Sequence, residues 1–219
     1  MYSKALAGVS GDLYDFYFTN KNKLAGLGIF DVSGHGIASG LVTMLVKNII
    51  TQEFEKGKNK KLSEIVGHIN NRVLKEKGNI ENYLTGILCR LEKNSIELVN
   101  AGHPFPLFYN ASTKEINNLD NHSQTRCGVI GISGLPAVYE SFSLEITSGD
   151  EILFFTDGIT EANNENKIAF GKKGLLDSFT KNISKDINAQ IESIIEDLHD
   201  FIGNEKINDD VSILILRRK

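Results

Sequence analysis

Residues 30–40 read FDVSGHGIASG. Ahead of them YDFYFTN (14–20) and KLAGLGIFDVS (23–33) are apolar segments joined by the polar NKN, which predicts a β-hairpin. From Ile37 the period changes. Ile37, Leu41, Leu45 and Ile49 lie four apart, and Val42, Val46 and Ile50 widen the stripe. This spacing predicts a helix over 37–54 with those residues on its buried face, stopped by Gly57. Asp31 therefore stands where a strand gives way to a helix, among small residues and one His. Five residues separate it from the helix, too many for a direct cap. It reads either as a turn residue or as a ligand at the end of a strand.

The rest of the chain decides the fold class. LSEIVGHINNRVLKEKG (62–78) predicts a second helix, with apolar residues at 62, 65, 66, 69, 73 and 74. YLTGILCRLE (83–92), SIELVNAG (95–102), FPLFYN (105–110) and KEINNL (114–119) read as short strands separated by turns. AVYESFSLEI (137–146), DEILFFTDG (150–158) and DDVSILILRR (209–218) are further strands. Between the last two, 172–203 reads as helical, with a stripe at Ile187, Ile191, Ile194, Ile195, Leu198 and Ile202, ended by Gly203. Runs of strands without strict βαβα alternation predict an α+β fold with mainly antiparallel sheet. So many short strands suggest two sheets packed face to face with helices outside. There are no repeats or internal linkers, and residues 1–219 read as one domain.

Composition excludes several classes. Of 219 residues 41% are hydrophobic and only three are Pro, which predicts a packed core rather than disorder. With 24 basic and 28 acidic residues the net charge is −4, so the chain has no general attraction for nucleic acid or anionic membrane. KGKNKK (56–61) reads as a solvated loop. Cys89 and Cys127 lie far apart without CxxC spacing, which predicts reduced thiols and a cytoplasmic protein. No apolar run reaches the ~18 residues of a membrane span, and MYSKALAGVSGD lacks a signal-peptide core. Strand-like sequence begins almost at once, so the expectation is a domain taken from a longer chain.

Acids recur at strand ends: Asp12 and Asp15 in VSGDLYDF, Asp31 in GIFDVSGHG, Asp157 in ILFFTDGITEA, and Asp209 and Asp210 in INDDVSILIL. Any one alone reads more readily as a turn or cap residue than as a ligand. Asp150 does so best, since it lies at the other end of the strand from Asp157, ~20 Å away. Three or four carboxylates gathered at one edge would repel strongly unless a cation neutralised them. Their hard oxygens suit Mg²⁺ or Mn²⁺. A zinc site needs His or Cys at ligand spacing, and His35, His68, His103, His122 and His199 offer none. Spacing alone does not show that the acids converge.

In order along the chain stand GVSGDLYDF, DVSGHGIASGLVTMLV, YLTGILCRLE, ELVNAGHPFPLFY, GVIGI, SGDEILFFTDGITEANN and NDDVSILIL. Together they resemble the SpoIIE/RsbU branch of the PPM (type 2C) metal-dependent serine/threonine phosphatases, over about residues 5–217. The resemblance implies a four-layer αββα sandwich, two antiparallel sheets flanked by helices. It implies two Mn²⁺ or Mg²⁺ ions bridged by Asp31. The Val32 carbonyl and Asp12 would serve one ion, and Asp157 and Asp209 the other. Asp210, one place later on the strand, would point its side chain away, and Asp15 would support the hairpin.

The mechanism implied is attack of a metal-activated water on phosphoserine or phosphothreonine. His35 would donate a proton or order water. His103 would be a turn residue, Gly34 and Gly36 would let the backbone pass close to the site, and Thr85 and Gly158 would line it. An Arg that eukaryotic-type relatives place near the first acid is missing from Ala5–Ser10, and Lys4 is the one nearby cation. Family substrates are phosphorylated anti-sigma-factor antagonists of the STAS type. Members are often C-terminal output domains under an upstream sensor or an activator protein, and a homodimer through the helical face of 37–54 is open. A catalytically silent PPM-like binding module and a small-molecule phosphohydrolase are the alternatives.

Overall fold

In the computed structural model, residues 1–6, 10–34, 36–119, 128–134 and 137–219 are described. His35, His122 and Cys127 lie outside them. Among the described residues the chain opens with β1 (Tyr2–Lys4), β2 (Asp12–Phe18), β3 (Leu24–Val32), α1 (Ile37–Lys56) and α2 (Leu62–Lys77). Then come β4 (Leu84–Leu91), β5 (Ser95–Ala101), β6 (Leu107–Asn110), β7 (Glu115–Asn118), β8 (Ser141–Glu145) and β9 (Glu151–Phe155). Last are α3 (Asp157–Glu161), α4 (Gly171–Asn182), α5 (Ile187–Ile202) and β10 (Val211–Arg217). The chain divides into two compact units.

One unit is Ala7–His103 with Asp120–Ile146. Its sheet runs β2-β3-β4-β5-β8, antiparallel throughout. The predicted hairpin is β2–β3, closed by Thr19–Lys23 with Asn22 at φ 55. Alternation sends Leu13, Tyr17, Phe30, Val32, Leu88 and Val99 to one face, where they pack with Val42, Val46, Ile49 and Ile50 of α1 and Ile65, Ile69 and Val73 of α2. Burying each such side chain contributes roughly 1.5–3 kcal/mol. The helical stripe departs from the predicted one at its start. Ile37 and Leu41 are 76% and 64% exposed, as is Met44 at 71%. The predicted Val42, Val46, Ile49 and Ile50 are buried, joined by Ser39, Gly40 and Phe54, so the prediction fails only at its N-terminal members. The four-residue spacing drifts around a 3.6-residue helix, so its N-terminal members leave the face that Val46 and Ile50 define.

The other unit is Met1–Leu6, Pro104–Leu119 and Thr147–Lys219. Its antiparallel sheet runs β1-β10-β9-β6-β7. Leu153 and Phe155 of β9 and Val211 and Ile213 of β10 face Ile159 of α3, Leu175 and Phe179 of α4, and Ile191, Ile194 and Leu198 of α5. The predicted single helix over 172–203 is two helices. Asp186 breaks it by capping α5, its carboxylate accepting from the Asn188 and Ala189 amides. Two antiparallel sheets with helices are thus present, as the α+β reading requires. Among the described residues no helix is long and apolar enough to cross a membrane.

Candidate active site

The first pair of acids is fixed by strand register. Asp12 of β2 is the direct cross-strand partner of Asp31 of β3, and Asp31 is in turn opposite Thr85 of β4. Directly opposed residues share a face of the sheet, with Cβ atoms about 5 Å apart. Asp12, Asp31 and Thr85 therefore form one row. Their face is opposite to the one that Phe30 and Val32 present to α1 and α2. Asp12 is 8% exposed and Asp31 half-buried. Two carboxylates so placed repel, and a hard cation between them relieves that cost.

Local bonds hold this row. The Gly11 carbonyl accepts from the Val32 amide at 3.1 Å and from the Thr43 hydroxyl of α1 at 3.2 Å. The Asp12 amide donates to Ser10 Oγ at 3.1 Å. Past Asp31, the Ser33 amide donates to the Tyr83 carbonyl, and Ser33 Oγ accepts from the Tyr83 amide. Gly34 and Gly36 then take φ of 82 and 85, which only glycine adopts freely, and so turn the chain into α1. Val32 is fully buried.

The NAGH stretch completes the row on the β4 side. Asn100 Oδ1 accepts from the His103 amide at 2.8 Å, and Asn100 Nδ2 donates to the His103 carbonyl at 2.9 Å. Gly102 turns the chain at φ 73. His103, 4% exposed, places Nδ1 2.9 Å from Thr85 Oγ1. The turn role read for His103 is present, and its ring also meets the residue opposite Asp31.

The second pair lies in the other unit. Asp157 is the first residue of α3. Burial pushes its carboxyl up from the ordinary value, and Glu161 and Asp209 push it further, against the amides of Asp157 and Gly158. The strand expected over 150–158 ends at Phe155, and α3 brings Glu161 one helical turn on from Asp157, a neighbour that a strand reading does not supply. Asp209 is exposed and its Oδ1 accepts from the Asp210 amide at 2.8 Å. Asp210, 5% exposed, accepts from the Leu6 amide at 2.5 Å.

The remaining expected residues have structural partners. Asp15 accepts from the Phe16 amide and from the Thr51 hydroxyl of α1. Asp150 accepts from Thr147 and the Ala111 amide, a turn anchor. Among the described residues no three of His, Cys, Asp and Glu gather as a group able to hold a metal ion. What is present is two acid pairs, one fixed by register and the other joining a half-buried Asp157 to the charge of an exposed Asp209. Their all-oxygen donor set suits hard Mg²⁺ or Mn²⁺ better than zinc, which favours His and Cys.

The Stage II sporulation protein E (SpoIIE) family profile matches residues 21–219, and the chain belongs to that family. The chain is 28% identical over 164 residues to the phosphoserine phosphatase RsbP of Bacillus subtilis, covering 73% of this chain and 39% of that protein. It is 24% identical over 218 residues to the phosphoserine phosphatase RsbU of the same organism, covering 96% of this chain and 60% of that protein. The chain thus spans less than two thirds of either relative. Among solved structures, the SiaA PP2C domain of Pseudomonas aeruginosa superposes with a TM-score of 0.81 at 19% identity, covering 96% of this chain and 82% of that one. The catalytic domain of the phosphatase PstP, in complex with two manganese ions, gives 0.64 at 14% identity, covering 98% and 94%. These likenesses show the PP2C fold.

Proposed function

We propose that this chain is a metal-dependent serine/threonine protein phosphatase. The observation that carries the reading is the Asp12–Asp31 register pair, two carboxylates held on one face of a sheet. Asp12, Asp31 and the Val32 carbonyl would be ligands to Mn²⁺ or Mg²⁺, and Asp157 and Asp209 likewise. When bound, such ions activate water and neutralise charge on a transferring phosphoryl group. The chain's own part is to keep these oxygens fixed. Strand pairing holds Asp12 and Asp31, and the first turn of α3 holds Asp157. His35 is proposed to order water or donate a proton to the leaving oxygen.

The substrate we propose is phosphoserine or phosphothreonine in a bacterial regulatory protein, a STAS-type anti-sigma-factor antagonist. The motif resemblance supports it, as do the two relatives named phosphoserine phosphatases. An upstream sensor domain or activator acting through α1 is the proposed control. The Thr43–Gly11 bond, which ties α1 to the strand carrying Asp12, supports this. Residues 1–219 would act as one phosphatase domain.

A silent binding module is the second reading. It draws on the lack, among the described residues, of a gathered three-residue metal group. Hydrolysis of p-nitrophenyl phosphate with Mn²⁺, with chelator and in Asp31→Asn tests the first reading. Turnover that needs Mn²⁺ and Asp31 supports it. No turnover together with no Mn²⁺ uptake by titration leaves the silent module.

A further inference from the structure

The sequence gives NAGH no role beyond a turn, yet the structure spends unusual effort on delivering its imidazole. Asn100 clamps the main chain of His103 with both ends of its side-chain amide, Oδ1 accepting at 2.8 Å and Nδ2 donating at 2.9 Å, and is itself only 7% exposed. Gly102 takes φ 73, and a β-carbon there would stand 2.7 Å from Val129. An isolated parallel bridge between Gly86 and Gly102 brings this turn back alongside β4. The outcome is a buried ring with Nδ1 at 2.9 Å from Thr85 Oγ1. Thr85 is the direct cross-strand partner of Asp31.

Hydrogen-bond chemistry gives this chain of groups a direction. An ionised carboxylate only accepts, whereas a hydroxyl both donates and accepts, and a neutral imidazole donates from one nitrogen. In this structure the Thr85 hydroxyl meets His103 Nδ1, and at the Cβ separation of opposed strand residues, about 5 Å, rotation of such a hydroxyl and carboxylate brings them within hydrogen-bond range. If Thr85 donated to the ring, its lone pairs would face the Asp31 charge. The favourable order is ring to hydroxyl to carboxylate.

We propose that Thr85 and His103 are a positioning pair for Asp31: the Nδ1–H tautomer of His103 donates to Thr85 Oγ1, and the Thr85 hydroxyl donates to the Asp31 carboxylate and fixes its orientation. Neither residue touches substrate. They act as the groups behind metal ligands do in other proteins, by locking rotamer and tautomer. The inference rests on the proposed role of Asp31 as a ligand, but its first consequence, the tautomer, does not depend on any metal.

The test has two arms on the full chain, with circular dichroism to confirm folding of each variant. The first is ¹⁵N NMR of the histidine rings without metal at about pH 8, where an ordinary imidazole is neutral, with His103→Gln to assign the signal. The expected result is an Nδ1–H tautomer for His103 that is kept in Thr85→Ser and lost in Thr85→Val. An Nε2–H tautomer in the native protein, or one indifferent to Thr85→Val, overturns the pair. The second arm is Mn²⁺ titration, where Thr85→Val should weaken affinity about 10–100-fold and Thr85→Ser should restore it. Equal Mn²⁺ affinity in the native protein and Thr85→Val overturns the positioning role while leaving the phosphatase reading intact. The expected tautomers in a native protein that binds no Mn²⁺ would instead overturn the metal reading and uphold the hydrogen-bonded pair.

Discussion

Gly158 lies against the main chain of Asp210: a β-carbon on Gly158 would stand 2.0 Å from the Asp210 carbonyl oxygen. That distance admits no side chain, and the atom it would meet is backbone, which cannot swing aside. The TDG stretch thus needs its glycine to let α3 close on β10, where Asp157 feels the charge of Asp209. Gly158→Ala should cost about 1–3 kcal/mol, the range for inserted carbon in a packed site. Mn²⁺-dependent hydrolysis should fall with it. Thermal unfolding and a Mn²⁺ titration check this, and an unchanged midpoint would show that the two segments part easily.

Asp31→Asn removes one charge from an opposed pair and keeps the shape. Ester hydrolysis should fall at least about 100-fold, beyond the usual effect of residues behind a metal's ligands. Folding stability without metal should hold or rise, because the Asp12–Asp31 repulsion is gone. Paired activity and urea-denaturation measurements check both. A variant that loses activity only because it unfolds would contradict the second half.

Thr43 joins α1 to the start of β2 through the Gly11 carbonyl at 3.2 Å, and it also bonds the Ser39 carbonyl. Thr43→Val keeps the shape and loses these bonds, a cost of about 0.5–1.5 kcal/mol. Thr51→Val, whose hydroxyl meets Asp15 at 3.3 Å, is the control. Mn²⁺ affinity should drop several-fold in the Thr43 variant and hold in the Thr51 variant. Equal effects would mean that α1 does not act on Asp31 through this contact.

Glu151 carries a pH prediction. It is 2% exposed, with Arg217 Nε at 2.6 Å and Gln190 Nε2 at 3.4 Å. Burial raises its carboxyl above the ordinary value, and Arg217 and Gln190 oppose the rise. A raised acid favours the folded state most when protonated. Its contribution is greatest below the ordinary carboxyl value and declines as pH rises through the folded value. Arg217→Met removes most of the opposition and drives the carboxyl higher. Near neutral pH the variant should lose about 3 kcal/mol, the low end for a broken buried pair because Arg217 is 28% exposed. The loss should shrink as pH falls through the carboxyl range. Unfolding midpoints of both proteins across that range check the sign.

The hairpin and the mainly antiparallel character were legible because period-2 runs and turn residues are local signals. The orientation of α1 was not. Ile37 and Leu41 fit a four-residue count, but which side of a helix is covered depends on partners distant in sequence, here Ile65, Ile69 and the β2–β3 pair. The division of 172–203 was legible in principle, since Asp186 precedes α5 as an N-cap, but the isoleucine stripe on its far side masked it. At the site, each acid was visible as a residue type at a strand end. The register that opposes Asp12 to Asp31, and the Thr85–His103 contact, follow from strand pairing and were not. Asp210 lies just ahead of β10, outside the reach of strand alternation, and its bond to the Leu6 amide, 204 residues away, was not visible in the sequence.

The strand order of the second sheet has a consequence for biosynthesis. β10 sits between β1 and β9, both of which precede it in the chain, so it must enter between neighbours already made. The β2–β3–β4–β5 sheet, by contrast, pairs strands in the order of their synthesis. That half can fold as it emerges, while the other waits for its closing strand and holds Tyr2–Lys4 unpaired until then. A nascent chain is therefore exposed to strand-edge aggregation on one side only, and chaperone demand should fall on the segments flanking β10.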